Sequence, residues 1–271
     1  QSPAGEDDSS RVTSARAARF RLAVAVAAIG TGLFVGWIAT GAGGATATRW
    51  ADCLLTAIAA GCACAACWRA RSCHAGRQRL FWGLLGCATG AWALGELIWG
   101  YESVVLREAD IPFPSWADVP FLAAIPLTVA ALAAHPATTA TLTRRTRWLL
   151  DALVAATALL FLGWTLVLAP MSHGSDVGTL TGIVSLAYPF GDVLIVFSVL
   201  LAIRGMGRDE RRALWWLLGA LCLMAVTDST SFSYLASGGY TDPGLVDTGW
   251  FLAYLGIALA ALSARPASAA A

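Results

Sequence analysis

The sequence predicts an all-α polytopic membrane protein of about eight transmembrane helices, arranged as four hairpins that repeat in the same sense, with both termini cytoplasmic. Four observations carry that prediction. Hydrophobic residues make up 58% of the chain and charged residues 13%, with a mean hydropathy of +0.66. The apolar residues fall in runs of about 18 or more, the length that crosses a hydrocarbon core. All 18 basic residues are arginine, and they collect in alternate connections between those runs. Finally, an acid followed by an apolar run that ends at basic residues recurs: Pro112-Phe113-Pro114-Ser115-Trp116-Ala117-Asp118-Val119, Trp50-Ala51-Asp52, Tyr188-Pro189-Phe190-Gly191-Asp192 and Leu245-Val246-Asp247.

Taken in order, residues 1–20 are polar, with Glu6, Asp7 and Asp8 ahead of Arg11, Arg16 and Arg19, and read as a disordered cytoplasmic tail. The apolar run after them is long enough to span and lacks a cleavage-like polar flank, so it is expected to be a retained helix and not a signal peptide. Spans are expected at 22–41, 51–68, 80–101, 116–134, 148–169, 179–203, 213–235 and 247–264. Together they form one membrane domain over 21–266, followed by a short tail, 267–271.

The arginines set the orientation. Arg11, Arg16, Arg19 and Arg21 precede the first span; Arg69, Arg71, Arg77 and Arg79 lie between the second and third. Arg144, Arg145 and Arg147 lie between the fourth and fifth, and Arg204, Arg208, Arg211 and Arg212 between the sixth and seventh. Arg265 follows the eighth, while the opposite turns hold only Arg49 and Arg107. The positive-inside rule then places both termini in the cytoplasm of a cell bounded by this inner, plasma membrane. Trp68, Trp148, Trp215 and Trp216 fit an inner interfacial belt, and Trp50, Trp99, Trp116 and Trp250 an outer one.

Several function classes are excluded or disfavoured. A retinal Schiff base needs a lysine amine, and the chain has none. No basic, aromatic-interleaved surface segment supports nucleic-acid binding. Gly-x-Ser-x-Gly, His-Glu-x-x-His and phosphate-loop motifs are missing, so the chain is not expected to be an enzyme. Cys62, Cys64, Cys67, Cys73 and His74 lie close in sequence, but Cys62 and Cys64 point to opposing sides of a continuous helix, so packing is the better reading than metal ligation. His74, His135 and His173 fall in loops on opposite sides of the membrane, which disfavours paired haem ligation, and no cofactor is expected. The connections are all short. Whatever this chain does, it does between its helices.

The acids are the candidates for that work. Counting the helical rise from the arginine boundary places Asp52, Glu96, Asp118 and Asp247 roughly 25 Å up, Asp228 roughly 22 Å and Asp192 roughly 18 Å. An isolated carboxylate in hydrocarbon is costly, so such groups face the bundle interior, pair, or take up a proton. For Asp52, Asp118 and Asp247 a plain structural reading competes, since each is expected in the first turn of a helix, where free N–H groups and the helix dipole favour an anion. That reading does not serve Glu96 or Asp228, near the C-terminal ends of their helices, nor the deeper Asp192. Pro189 and Gly191 are candidates to break the sixth span beside it. The site expected from this pattern is an acid-lined, outward-open cavity with Asp192, Asp228 and Glu96 at its floor. Tyr188, Tyr234, Tyr101, Thr230 and Ser231 would supply hydrogen bonds, and a proton or cation the compensating charge.

The second and fourth hairpins match best: Gly95-Glu96 through Asp118 to His135-Pro136 parallels Thr227-Asp228 through Asp247 to Arg265-Pro266. With Ala187-Tyr188-Pro189-Phe190-Gly191-Asp192, with the stretch from Pro112 to Val119, and with Asp247 followed by Trp250, Phe251, Tyr254 and Leu255, the region 80–265 resembles the N-terminal integral-membrane region of actinobacterial GGDEF–EAL proteins, the cyclic-di-GMP cyclases and phosphodiesterases. Those regions commonly read Pro-Ser-Pro-Ala-Asp where this chain has Trp116 in place of the second proline. The resemblance implies a sensory input module in the lipid bilayer whose last helix passes a signal to a cytoplasmic output domain or partner protein. No Gly-Gly-Asp-Glu-Phe or Glu-Ala-Leu segment occurs in these 271 residues, so cyclase activity is not assigned to them. The expected ligand is an unknown small molecule, a cation or a proton, and a homodimer is a compatible assembly. A proton- or cation-coupled transporter using the same acids is the alternative, and a structural membrane subunit the second.

Overall fold

A computed structural model describes residues 4–106, 113–136, 179–204, 211–236 and 243–264, with scattered helical positions between 146 and 161. Every described element is helical. The helices are α1 (Ala4–Thr40), α2 (Ala45–Ser72), α3 (Gly76–Gly100), α4 (Asp118–Ala134), α5 (Thr179–Arg204), α6 (Arg211–Ala236) and α7 (Thr248–Ser263). Among the described residues, six stretches are long and apolar enough to cross a membrane: Ser14–Thr40, Ala45–Ser72, Gly76–Val105, Leu180–Leu200, Arg211–Ser231 and Leu245–Ser263. These fit a multi-pass integral membrane protein. The 17 residues of α4 form a shorter apolar helix, and most of the expected fifth span, 148–169, lies outside the described residues.

Three boundaries differ from the sequence reading. Helix α1 begins at Ala4, so residues 4–20, expected as a disordered tail, continue the first span as helix. Its Arg16 guanidinium reaches across to donate to the Ala264 carbonyl at the end of α7. Helix α2 starts at Ala45, after a glycine turn in which Gly43 and Gly44 hold φ of 88° and 86°, a region that favours glycine. Asp52 therefore lies about two turns inside its helix and cannot serve as a first-turn anion. Helix α5 runs unbroken from Thr179 to Arg204 through Pro189, so the expected break beside Asp192 is not there. Gly191 serves instead as a close-approach point. A Cβ added there would lie 2.4 Å from Ile125 Cδ1 of α4, so a larger residue would force the Ile125 side chain or the helices themselves to shift.

Neighbours in the chain pack as neighbours in space. Helices α2 through α7 form a closed ring, α2 against α3, α3 against α4 and onward until α7 returns to α2. Helix α1 lies outside that ring, mainly against α7, where Phe34 stacks on Phe251 at 4.4 Å. The ring interior is filled by large side chains that include Trp82, Tyr254, Phe81 and Leu85. The α3–α4 and α6–α7 pairs both cross tightly at the residue before an acid. In one, a Cβ on Gly95 would meet the Phe121 ring; in the other, a Cβ on Gly249 would meet Thr227. Each also ends the same way, with an arginine donating to the last carbonyls of the helix: Arg77 Nε to Ala134 at 3.3 Å, and Arg16 to Ala264. A cation at a helix C-terminus satisfies free carbonyls and complements the dipole.

His135 follows α4 at this end and is buried, with its ring edge-on to Phe81 at 4.8 Å. Burial pushes the imidazole from its usual value of 6.5 down to about 4. The folded state thus refuses a proton that the unfolded state accepts. The associated stability is present above pH 6.5 and is lost as pH falls from 6.5 toward 4, up to about 3 kcal/mol. Melting the wild type and His135→Gln in detergent across that window is expected to show a smaller acid-induced decrease for the variant.

Candidate functional site

The site is built where helices α3 to α7 face one another inside the ring. Glu96 comes from α3, Asp118 from α4, Tyr188 and Asp192 from α5, Asp228 from α6, and Trp250 and Tyr254 from α7. Three aromatic donors each take a different acid. Tyr188 donates its hydroxyl to Asp118 Oδ1. Trp250 Nε1 donates to Asp228 Oδ1 at 2.5 Å, and the Tyr254 hydroxyl donates to Glu96 Oε1 at 3.0 Å. The Asp192 and Asp228 carboxyl groups lie within hydrogen-bonding range of one another. Asp192 Oδ2 is shielded from solvent and has no hydrogen-bond partner among the described residues. Tyr254 is buried beside Trp92, with ring centroids 6.1 Å apart.

Four carboxyl groups from four helices thus gather in one network of three units, Asp118 with Tyr188, Asp192 and Asp228 with Trp250, and Glu96 with Tyr254, and these donors are neutral: two phenols and an indole. Such donors orient a carboxylate but cannot balance its charge. In an apolar bundle a carboxylate that is not paired with a cationic side chain favours taking up a proton or a bound cation.

Local turns position two of the acids. Asp118 Oδ2 accepts the Ser115 backbone N–H at 2.7 Å, and Asp247 Oδ2 accepts that of Gly244 at 2.6 Å. Asp247 is the carboxylate half of a capping box, in which the third helical residue reaches back to the entry of its helix, and Asp118, the first residue of α4, reaches back in a similar way to the turn before it. For Asp118 and Asp247 the structural reading therefore holds. Asp118 nonetheless spends its second oxygen on Tyr188, so it serves the helix start and the network together. Asp247 is buried at its turn, and Asp52 is buried within α2.

Other expected members fall elsewhere. Tyr101 is 54% exposed. Thr230 turns its hydroxyl back to the Val226 carbonyl at 2.6 Å. The side chain of Tyr234 lies outside the described residues. The sequence reading also expected an acid-lined cavity here; the described acids Asp118, Asp228 and Glu96 accept hydrogen bonds from Tyr188, Trp250 and Tyr254.

Three participants were missed as site residues. Trp250 and Tyr254 stand three and seven residues after Asp247, a spacing that puts them on one helical face and was visible in the sequence. Glu102 was assigned to a turn, but α3 continues through a π-helical segment, Tyr101–Val105, that carries Glu102 to a buried position. Its Oε1 accepts the Trp116 backbone N–H at 3.3 Å, and its Oε2 is buried without a hydrogen-bond partner among the described residues. Wide turns of this kind frequently mark functional positions. Nothing in hydropathy or spacing announces one.

Around the cysteines, Cys64 Sγ donates to the Gly86 carbonyl at 3.3 Å and Cys67 is buried between α2 and α3. No three metal-ligating side chains converge among the described residues. No protein-family model matches the chain, and comparisons with curated proteins and with solved structures find no match.

Proposed function

We infer that this chain is a membrane-embedded sensory module, non-enzymatic, in which a proton or cation held by the Glu96–Asp118–Asp192–Asp228 network is the bound signal. The single observation that carries this reading is the network itself, with its four acids, its neutral donors and its position where five helices meet. Binding or losing one positive charge changes which of Tyr188, Trp250 and Tyr254 has a charged acceptor, and so shifts the balance between α5, α6 and α7. A ligand shifts such an equilibrium only by its differential affinity for the two states. A charge taken up in low dielectric provides that difference. In this reading both termini are cytoplasmic, and the arginine-rich end of α5–α7 delivers the signal to a cytoplasmic domain or partner, as the resemblance to cyclic-di-GMP signalling proteins implies.

The test is hydrogen–deuterium exchange on the full chain in nanodiscs at high and low pH, paired with a proton-flux assay in liposomes. A sensor is expected to change protection at 200–213 and 255–264 with pH and to carry no flux. Flux would move the assignment to a coupled transporter. Neither response would leave a structural subunit.

A further inference from the structure

Within the network, Asp192 of α5 and Asp228 of α6 bring their carboxyl groups into hydrogen-bonding range of each other. A carboxylate only accepts hydrogen bonds, so two of them cannot bond to one another until one carries a proton. The groups that face this pair are Asp118 from α4, Tyr188 from α5, Glu96 from α3 and Tyr254 from α7, all of them acids or phenols. Asp247, at the entry to α7, is a further acid. Along α5 the arginine after Asp192 is Arg204, roughly 18 Å of helix away, and along α6 Arg212 stands roughly 24 Å before Asp228. Helices α4 and α7 contain no basic residue.

The groups around the pair separate a proton from a metal cation. A hard cation takes about six oxygen ligands. Here Trp250 Nε1, Tyr188 and Tyr254 turn hydrogens toward the acids, not lone pairs. The Thr227 and Thr230 hydroxyls donate to the Leu223 and Val226 carbonyls of their own helix at 2.8 and 2.6 Å. Two carboxyl groups without a third ligating side chain under-coordinate a metal. A proton needs only two oxygens. The donors also distinguish the two acids. Asp228 Oδ1 accepts the Trp250 indole N–H at 2.5 Å, which stabilises its ionised form. Among the described residues no N–H donates to Asp192, and its Oδ2 is shielded from solvent with no hydrogen-bond partner.

We propose that the ligand of the network is a single proton and not a metal cation, carried by Asp192 and donated to Asp228. This rests on the reading above in taking the network as the signal-binding site. The test is infrared difference spectroscopy of the full chain in nanodiscs, titrated with acid in choline chloride and again in sodium or calcium chloride at equal ionic strength. A protonated-carboxyl band is expected, with the same titration midpoint in all three salts. Asp192→Asn should remove it, whereas Asp228→Asn should keep it at a shifted frequency, because the proton stays on Asp192 and only its acceptor changes. The salt comparison is made on the wild type, so it stands even if a variant misfolds. A midpoint that falls when sodium or calcium replaces choline reveals a competing cation and overturns the proposal. So does a wild type without a titrating band, or a band unchanged in Asp192→Asn. The sensory reading fails separately: the band would still titrate while hydrogen-exchange protection ignored pH.

Discussion

Asp192→Asn is expected to abolish the pH-dependent change in hydrogen exchange while leaving membrane insertion intact. The amide has the shape of the carboxyl group it replaces, but it cannot take up or release the proton in question. It also brings an N–H that can donate to Asp228, which lies within hydrogen-bonding range. That donor would hold the network in one arrangement at every pH. Folded stability should change by about 1 kcal/mol or less, the usual scale of an interhelical hydrogen bond in a membrane. Infrared difference spectra between high and low pH should lose amplitude in the protonated-carboxyl region. A variant that responds like the wild type would remove Asp192 from any signalling role.

Tyr254→Ala is expected to be the most destabilising single change in the bundle. The side chain is 1% exposed, packs beside Trp92 and donates to Glu96. Truncation opens a void that neighbours fill only in part, at about 3–5 kcal/mol. It also leaves Glu96 without that donor. Tyr254→Phe keeps the ring and removes only the hydroxyl, so its cost should be about 1 kcal/mol. Unfolding titrations in mixed micelles would read both. If phenylalanine costs as much as alanine, the hydrogen bond to Glu96 and not the packing dominates at this position.

The site was partly legible in the sequence. An acid in an apolar run is conspicuous because the surrounding composition makes it expensive, and Asp192, Asp228, Glu96 and Asp118 were found on that ground alone. Tyr188 followed because it stands one turn before Asp192. Asp52 and Asp247 satisfied the same criterion and are buried, but depth along a helix says nothing about the direction in which a side chain points. Each residue turns that direction by about 100°, so a helix start misplaced by a few residues is enough to misassign a face. The early start of α2 did this for Asp52, and the π-helical segment did it for Glu102.

What the sequence by itself determined was the all-helical, multi-span character of the chain and most of the limits of the described helices. In hydrocarbon each apolar stretch must satisfy its own backbone groups, so its length and its flanking arginines are local properties. The partners of the acids were decided only by tertiary structure. The Tyr188–Asp118, Trp250–Asp228 and Tyr254–Glu96 bonds link residues 70, 22 and 158 positions apart. Those pairs exist because Gly191 and Gly249 let neighbouring helices approach closely and because α7 returns to α2 to close the ring. Closure of that kind depends on the rotation and crossing of every helix at once, and no single stretch of sequence carries it.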